Sequence, residues 1–340
     1  MKKSIIYFLI GLLTFNELYS QDEIPFEEIE KIEIDGVANY FYRGEKFTGT
    51  TFKVYANNNL RTKIEIKVGL KNGSFQRYYE NGQLRENVNF KDGHFFGLRV
   101  KYFENGQLEE TGTFKDVKRE GLFKKYYENG KLKAKATFTN NKLNGFSEDY
   151  YENGEPKQIS NYKQGLLHGH STQYNQNGTI AGYANFKDGQ KDGIEVQNDE
   201  NGQLKGTGTF KGGKLEGLVE SYFENGELKA KVTFNEGLKD GLELYYYENG
   251  QLMQSTNFNE GLKDGLHLYY YENGQLKHKN FFKNDKGNGK FENYYESGQL
   301  MERGTFKNDK AVGLYESFYE NGSLKEKKRI KEDEKSSALY

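Results

Sequence analysis

One short block recurs along most of this chain at a fixed distance. Tyr245–Leu252 reads YYYENGQL, and the same eight residues return at Tyr269–Leu276, 24 positions later. The glycine of this block keeps the 24-residue spacing across residues 82–322, and a second glycine series keeps it across residues 49–313. A fixed period of this length is typical of a repeat array, whose units stack side by side. The period therefore predicts one repeat array, although a length of 340 residues alone would suggest two domains.

Each repeat has the pattern of a β-hairpin. In Gly121–Asn144 the tripeptide E-N-G at residues 128–130 joins two runs of alternating residues. Asn tolerates a left-handed backbone and Gly adopts one without steric cost, so this tripeptide favours a tight turn. The other end of the strands also carries turn residues, as in KDGQKDG at residues 187–193. The short runs between turns suit strands and are too short for paired helices.

The pattern leaves two hairpin registers open. With a two-residue Asn-Gly turn, Tyr127 would lie opposite Leu132; with a three-residue Glu-Asn-Gly loop and a glycine bulge, Tyr126 would. The second register is favoured because it gathers the apolar positions on one face of the sheet, since side chains alternate along strands. That face would carry Leu122, Tyr126, Leu132, Ala136 and Phe138, and the polar face would carry Tyr127, Lys131, Lys133, Lys135 and Thr137.

The repeated run GLxxxYYENGxLKxxxxFKxGxxxG resembles the MORN-repeat family in the variant form found in bacterial proteins. The resemblance covers roughly residues 40–330. It implies an all-β protein in which about twelve 24-residue β-hairpins form one elongated, twisted antiparallel sheet. Repeat scaffolds host many roles, so the resemblance is far more specific for fold than for function. Some bacterial members of the family are antitoxins of toxin–antitoxin pairs, which makes a toxin one possible partner.

The ends of the chain differ from the array. Residues 1–20 combine two lysines, an apolar run and a polar end, which predicts a signal peptide cut near Ser20–Gln21 rather than a buried strand or helix. We expect residues 21–48 to form an N-terminal cap, residues 49–330 to form the array, and residues 331–340 to be a charged, disordered tail. The side chains expected to build the cap are Ile32, Ile34, Tyr40 and Tyr42.

Composition narrows the classes of partner. Hydrophobic residues make up only 34% of the chain while aromatic residues reach 15%, so the buried groups should be largely Tyr and Phe. The 49 basic and 50 acidic residues nearly cancel, and they form no basic block that would indicate nucleic acid or an anionic membrane. There is no cysteine, so an exported form would rely on no disulfide.

The repeats hold few groups that predict chemistry. His168 and His170 form an H-x-H pair that could face one side of a strand, but no third metal ligand is evident. The aspartates lie in lysine–aspartate–glycine turns, where Asp is an ordinary turn residue. We therefore expect no catalytic residues, no cofactor and no metal site.

One stripe of aromatic residues is the candidate partner-binding face. Its members occupy the position directly before the Glu-Asn-Gly turn, on the face expected to be polar. The rings could shield a thin sheet, or they could anchor a partner. Asn175 and Asn198–Asp199 interrupt the stripe, either as a weakly packed joint or as a binding notch. The candidate residues are Tyr79, Phe103, Tyr127, Tyr151, Phe223, Tyr247, Tyr271, Tyr295 and Tyr319.

The sequence predicts an exported bacterial protein that is not an enzyme and binds another macromolecule along its sheet. A protein partner is favoured, and neutralisation of a toxin by an antitoxin or immunity protein is the named alternative. A glycan or the cell wall, stacked on the tyrosines, is a third possibility. We expect no membrane span and a location outside the cytoplasm, in the periplasm, at the cell surface or secreted.

Overall fold

The structure is a computed structural model that describes residues 23–331 of the chain. It divides into two compact units, of which the first ends at Lys142 and the second begins at Leu143. The signal peptide predicted at residues 1–20 lies outside the described residues, as does the predicted tail at residues 331–340 apart from Lys331.

Across its described residues, 23–142, the first unit consists of strands and one 3₁₀ helix, Phe26–Glu28. From β5 to β12 each strand pairs antiparallel with the next, and β1 lies parallel to β5. Strands β2, β3 and β4 form a small separate sheet. The strands are β1 (Glu23–Pro25), β2 (Glu30–Ile34), β3 (Val37–Tyr42), β4 (Glu45–Lys46), β5 (Gly49–Val54), β6 (Leu60–Lys67), β7 (Leu70–Tyr78), β8 (Leu84–Lys91), β9 (His94–Tyr102), β10 (Leu108–Lys115), β11 (Lys118–Tyr126) and β12 (Leu132–Thr139).

The second unit is likewise built of hairpins, which form an antiparallel sheet in which β24 pairs with both β25 and β26. The prediction of an all-β protein made of antiparallel β-hairpin repeats is confirmed. The strands are β13 (Lys142–Tyr150), β14 (Pro156–Lys163), β15 (Leu166–Tyr174), β16 (Ile180–Lys187), β17 (Gln190–Asn198), β18 (Leu204–Lys211), β19 (Lys214–Tyr222), β20 (Leu228–Asn235), β21 (Leu238–Tyr246), β22 (Leu252–Asn259), β23 (Leu262–Tyr270), β24 (Leu276–Lys283), β25 (Lys286–Gly287), β26 (Gly289–Tyr294), β27 (Leu300–Lys307), β28 (Lys310–Phe318) and β29 (Leu324–Ile330).

The Glu-Asn-Gly loop has the favoured three-residue form. In the hairpin of β11 and β12, the Tyr127 N–H donates to the Lys131 carbonyl at 2.8 Å and the Gly130 N–H donates to the Tyr127 carbonyl at 2.9 Å. Gly130 has φ of 82°, the left-handed conformation that closes such a loop. Tyr126 is therefore paired with Leu132, as the bulged register predicts.

The predicted composition of the two faces is wrong, because the register shifts once more beyond the loop. Lys125 pairs with Ala134 while Tyr126 pairs with Leu132, so Lys133 is an extra residue on β12. A bulge of this kind moves every later side chain of its strand to the opposite face. Phe123 consequently shares its face with Ala136, and Leu122 shares the other face with Thr137.

The two faces of the sheet carry different apolar residues. The Phe face carries Phe123, Ala136 and Phe138, and the Leu face carries Leu122, Tyr126 and Leu132 together with Lys135 and Thr137. Phe123 is 6% exposed and Leu122 is 49% exposed, so the Phe face is the better buried of the two.

Residues 23–48 cover the Phe face of the first repeats. Ile29, Tyr40 and Phe47 are buried in one cluster with residues of β6, β7 and β8, including Ile64, Phe75 and Val88. Of the four side chains expected to build this segment, Tyr40 is buried and Tyr42 packs against the cluster. Ile32 and Ile34 are instead exposed on β2.

Candidate functional site

The stripe of aromatic residues predicted to bind a partner lies at the edge of the sheet that carries the Glu-Asn-Gly loops. Five tyrosines of the stripe donate their hydroxyl to a backbone carbonyl of the following repeat. In the first unit Tyr79 reaches the carbonyl of Tyr102 at 2.9 Å. In the second unit Tyr151, Tyr247, Tyr271 and Tyr295 reach the carbonyls of Tyr174, Tyr270, Tyr294 and Phe318 at 2.7–3.0 Å.

A cation from the same hairpin covers the ring of most of these residues. Lys133 Nζ lies 5.3 Å from the centroid of Tyr127, and Lys277 Nζ lies 5.1 Å from that of Tyr271. Lys133 is the bulge residue of its hairpin, so the bulge that moves the faces also places the lysine over the ring. Contacts of this kind stabilise partly exposed rings by about 0.5–1 kcal/mol. The same arrangement recurs at Tyr79, Tyr151, Phe223 and Tyr319.

The asparagine of the loop adds a second link between repeats. Asn249 Oδ1 accepts from the Gln251 N–H at 2.9 Å, which holds the loop, and Asn249 Nδ2 donates to the Glu272 carbonyl at 3.1 Å in the next repeat. The pair of bonds recurs at Asn81, which bonds Gln83 and Glu104. Most loops that carry this asparagine are thus tied to the next repeat by an amide, and most of those that carry the tyrosine are also tied by a phenol.

These contacts give the stripe a role in stability that needs no partner. Burial raises the pKa of the Tyr79 and Tyr271 hydroxyls, and burial followed by a hydrogen bond to Tyr269 raises the pKa of Tyr247 to about 12. The rings are half-buried, except that Tyr319 is exposed at the last repeat. The structure supports a joint between repeats, while partner binding through these rings stays a prediction.

At the interruption of the stripe, shorter polar side chains make hydrogen bonds where the tyrosines are missing. Asn175 Nδ2 donates to the Asp199 carbonyl at 3.1 Å, where a tyrosine would donate its hydroxyl. Asp199 Oδ1 accepts the N–H groups of Asn201 and Gln203, both at 2.8 Å, and so holds its own loop. Asn175 therefore keeps the link to the next repeat, whereas the side chain of Asp199 bonds only within its own loop.

The Phe face changes in character along the chain. In the first unit, Phe123 packs its ring 5.3 Å from Phe114 and 5.2 Å from Phe138, with Arg119 stacked over two of these rings. In the second unit between β15 and β19, the same face carries Gly182, Gly206 and Gly208, and a groove opens there. The sequence reasoning missed this groove, although the signal was visible as glycines at positions that hold side chains in other repeats.

The Leu face presents an exposed row of large apolar side chains, one in each of several repeats. Each follows the left-handed glycine of its strand, and its paired residues on the same face are short, as Thr209 is opposite Ile194 and Thr233 opposite Leu218. Short neighbours leave the larger side chains uncovered. The members are Leu98 and Leu122 in the first unit, and Phe146, Ile194, Leu218, Leu242 and Leu314 in the second.

The histidines do not come together as a metal site. His168 Nδ1 lies 3.4 Å from Asp188 Oδ1, and His170 Nδ1 lies 3.1 Å from Asn185 Oδ1. Elsewhere His267 Nδ1 lies 2.8 Å from Thr256 Oγ1, and burial, followed by the charge of Lys263, lowers the His267 pKa to about 4. Across residues 23–331 no three His, Cys, Asp or Glu side chains are arranged to hold a metal. Within the same range no helix is long and apolar enough to cross a membrane.

The fold and its two kinds of inter-repeat link define a class of protein, a scaffold of stacked β-hairpins. Comparison with known families makes the class specific: the chain belongs to the MORN repeat variant family, which confirms the resemblance inferred from the repeated run. The matched segments span more than half of the chain. They are residues 71–92, 97–116, 119–140, 143–164, 167–188, 191–211, 215–236, 239–260, 263–284, 288–308 and 311–331.

Comparisons with individual proteins add no function. No curated protein sequence matches the chain significantly. A crystal structure of TcdB2-TccC3-Cdc42 is 15% identical, with 86% of this chain and 17% of that chain covered and a TM-score of 0.18. A Photorhabdus luminescens Tc holotoxin pore carrying a TccC3 mutation is 12% identical, with 84% and 19% covered and a TM-score of 0.17. A crystal structure of CbpF in complex with ipratropium is 15% identical, with 88% and 99% covered and a TM-score of 0.18.

The present chain spans less than a fifth of the first two of these structures. At TM-scores this low, the likenesses carry no argument about fold, ligand or partner.

Proposed function

We propose that this protein is an exported, non-enzymatic scaffold that binds another protein along its sheet. The observation that carries the proposal is the exposed apolar row of the Leu face. Ile194 and Leu314 are 53% and 50% exposed, although each lies within a regular strand whose next residue turns toward the Phe face. A row of large apolar side chains that a fold leaves uncovered among polar residues is typical of sites that contact another protein.

The repeat spacing strengthens this reading. Neighbouring strands lie about 4.8 Å apart, so equivalent residues of successive hairpins lie about 9.6 Å apart. Ile194, Leu218 and Leu242 thus offer three apolar contacts in a line across one sheet. A partner that covers these side chains gains about 25 cal/mol for each Å² of apolar surface removed from water. The rings of the aromatic stripe would lie beside such an interface, at the edge of the sheet that carries the Glu-Asn-Gly loops.

Export is supported by the lysine–apolar–polar order of residues 1–20. We expect the exported protein to begin at Gln21. Intact-mass or N-terminal sequence analysis of the exported protein checks this, and a retained Met1 would contradict it.

The binding proposal is tested by capture. The chain from Gln21 onward is immobilised and exposed to the exported fraction of its own cells, and bound protein is identified by mass spectrometry. The triple variant Ile194→Lys/Leu218→Lys/Leu242→Lys places three charges on the Leu face and should reduce the captured protein by about tenfold or more. The matched control, Glu200→Lys/Glu224→Lys/Glu248→Lys, adds as many lysines at exposed loop positions of the same region and should capture as wild type does.

Two outcomes contradict the proposal: no protein is captured, or the control loses as much as the Leu-face variant. The identity of the partner decides the antitoxin alternative. That alternative requires the captured protein to be toxic to cells that lack this chain.

A further inference from the structure

The loop between strands β17 and β18 differs from its counterparts at its asparagine, Asn201. In the nine other loops in which asparagine precedes the left-handed glycine, the asparagine Oδ1 accepts the backbone N–H two residues ahead at 2.9–3.0 Å. In this loop the Gln203 N–H donates instead to Asp199 Oδ1, at 2.8 Å. Asp199 stands where most repeats have an aromatic residue, and it has taken the donor that would otherwise hold the asparagine.

The side chain of Asn201 is therefore left without a partner. Asn201 is exposed, and within residues 23–331 its side chain forms no hydrogen bond. The equivalent Asn177 and Asn225 donate from Nδ2 to a carbonyl of the following repeat at 2.8 and 3.2 Å. The next residue, Gly202, is also the most weakly held of its kind. Its N–H lies 3.1 Å from the Asp199 carbonyl, against 2.8–3.0 Å for the same bond in the nine other loops.

The charge of Asp199, rather than the missing ring, accounts for this difference. Asn175 also replaces an aromatic residue, yet Asn177 in its loop accepts from the Thr179 N–H at 3.0 Å and donates to the Glu200 carbonyl at 2.8 Å. Asparagine and aspartate have nearly the same shape, but a carboxylate accepts hydrogen bonds more strongly than a neutral amide does. Only the carboxylate draws the backbone donor away from the loop asparagine.

We propose that Asn201 is a site of spontaneous deamidation in the folded protein. The backbone nitrogen of Gly202 loses its proton to solvent and bonds to Cγ of Asn201, while the side-chain nitrogen takes up a proton and leaves as ammonia. Water then opens the resulting five-membered succinimide ring at one of its two carbonyls, which gives aspartate or isoaspartate. The reaction consumes one water, releases one ammonia and involves no oxidation or reduction. Glycine favours the attack because it has no side chain to obstruct it.

The other asparagine–glycine pairs are held against this reaction. For the glycine nitrogen to reach Cγ, the carboxamide must rotate and the loop must change shape, which breaks the hydrogen bonds of a regular loop asparagine. Two hydrogen bonds of ordinary strength make such an open loop rarer by about tenfold or more. Elsewhere in the described residues, the glycine after asparagine lies in a strand and is paired across the sheet. These glycines are Gly73, Gly145 and Gly289.

Deamidation would act on a weakly connected joint between repeats. In the described part of the chain, the side chains of Asp199 and Asn201 make no bond to the following repeat, so this loop lacks both the phenol link and the amide link. Aspartate or isoaspartate at position 201 adds a negative charge near Asp199 and Glu200, and isoaspartate also lengthens the main chain of the loop by one carbon. We expect protein that has undergone this reaction to unfold at a lower temperature than fresh protein.

The test is peptide mapping by mass spectrometry of the chain from Gln21 onward, sampled during storage at neutral pH. Asn201 should convert to aspartate and isoaspartate about tenfold or more faster than Asn177, Asn225 and Asn249 do. Storage in urea, which unfolds the chain, is the control, and there the four asparagines should react at similar rates. Equal rates in the folded protein, or the same preference for Asn201 in urea, would overturn the proposal.

Asp199→Tyr tests the cause within the same loop. The variant restores the residue that most repeats carry, returns the Gln203 N–H to Asn201 and should slow the reaction at Asn201 to the rate seen at Asn225. An unchanged rate at Asn201 in a variant that keeps its β-sheet circular dichroism would show that Asp199 is not the cause.

Tyr247→Asp transfers the competing carboxylate to a regular loop. It should draw the Gln251 N–H away from Asn249, which accepts it at 2.9 Å, and so speed the reaction at Asn249. Tyr247→Asn is the matched control, because it loses the same ring and hydroxyl but, like Asn175, supplies no carboxylate. Equal acceleration in both variants, or none in either, would contradict the role of the charge. None of these measurements involves a partner, so this proposal and the proposed function fail separately.

Discussion

At the scale of single residues, the left-handed glycine of the Glu-Asn-Gly loop decides whether a hairpin closes. Gly130 has φ of 82°. We expect Gly130→Val to lower the free energy of unfolding by about 2 kcal/mol, because a β-branched residue is strained in this conformation. Gly130→Asn carries a Cβ as well but tolerates the conformation, so it should cost clearly less. Urea unfolding of the two variants measures the difference, and equal losses would contradict the loop assignment.

His267 gives the protein a pH dependence at residue scale. Its pKa falls from 6.5 to about 4, chiefly because the ring is buried. The unfolded chain takes up a proton below about pH 6.5, whereas the folded protein resists it until about pH 4, so stability is lost as the pH falls between these values. The slope is at most about 1.4 kcal/mol per pH unit.

His267→Phe should reduce the loss of stability that occurs as the pH falls from about 6.5 to about 4. The variant keeps a ring beside Phe282, now 5.7 Å from the His267 ring, and Thr256 keeps its bond from Gln254. The measurement is urea unfolding at pH 7 and at pH 4.5 for both proteins. The assignment fails if the variant loses as much stability between the two pH values as the wild type does.

At the scale of elements, the hairpin shows what local sequence can and cannot predict. The E-N-G loop was predictable because Asn and Gly have distinct backbone preferences. The bulge at Lys133 was not, because nothing in the run LKAKATF marks which residue is extra, and one extra residue exchanges the two faces. The aromatic stripe was found by its period, but the carbonyl that each hydroxyl meets, one repeat away, depends on how hairpins stack.

One triple variant tests whether the aromatic stripe stabilises the fold or binds the partner. Tyr247→Ser/Tyr271→Ser/Tyr295→Ser removes three hydrogen bonds to the following repeats, each contributing about 1 kcal/mol, together with the ring surface. We expect the melting temperature to fall while the folded fraction still binds the captured partner. Tyr→Phe at the same sites is the milder control, since Phe103 and Phe223 occupy this position naturally. Lost binding with unchanged melting would instead make the stripe the docking surface.

At the scale of the whole molecule, neighbouring repeats are joined by the same kinds of bond, so the chain should tolerate deletion of one complete repeat. Residues 235–258 and 259–282 are the same at 18 of 24 positions, as they differ at only six. Tyr151, Tyr247 and Tyr271 each meet the carbonyl 23 residues ahead, so repeats that carry this tyrosine make the same bond to the repeat that follows. Stability in such arrays is a sum of terms within repeats and between neighbours, with no contact that depends on distant repeats.

Removal of one full period should therefore leave a folded protein. Without residues 259–282, Tyr247 would meet the carbonyl of Tyr294 in place of that of Tyr270, and the chain would re-enter the sheet in the same direction and register. We expect its circular dichroism to keep the β-sheet form and its melting temperature to fall by only a few degrees. Removal of the half period 271–282 deletes the loop after β23 and β24 up to its last residue, so β23 would have to join a strand that runs the wrong way for a hairpin. That variant should lose β-structure and melt far lower, and similar melting of the two deletions would contradict the exchangeability of the repeats.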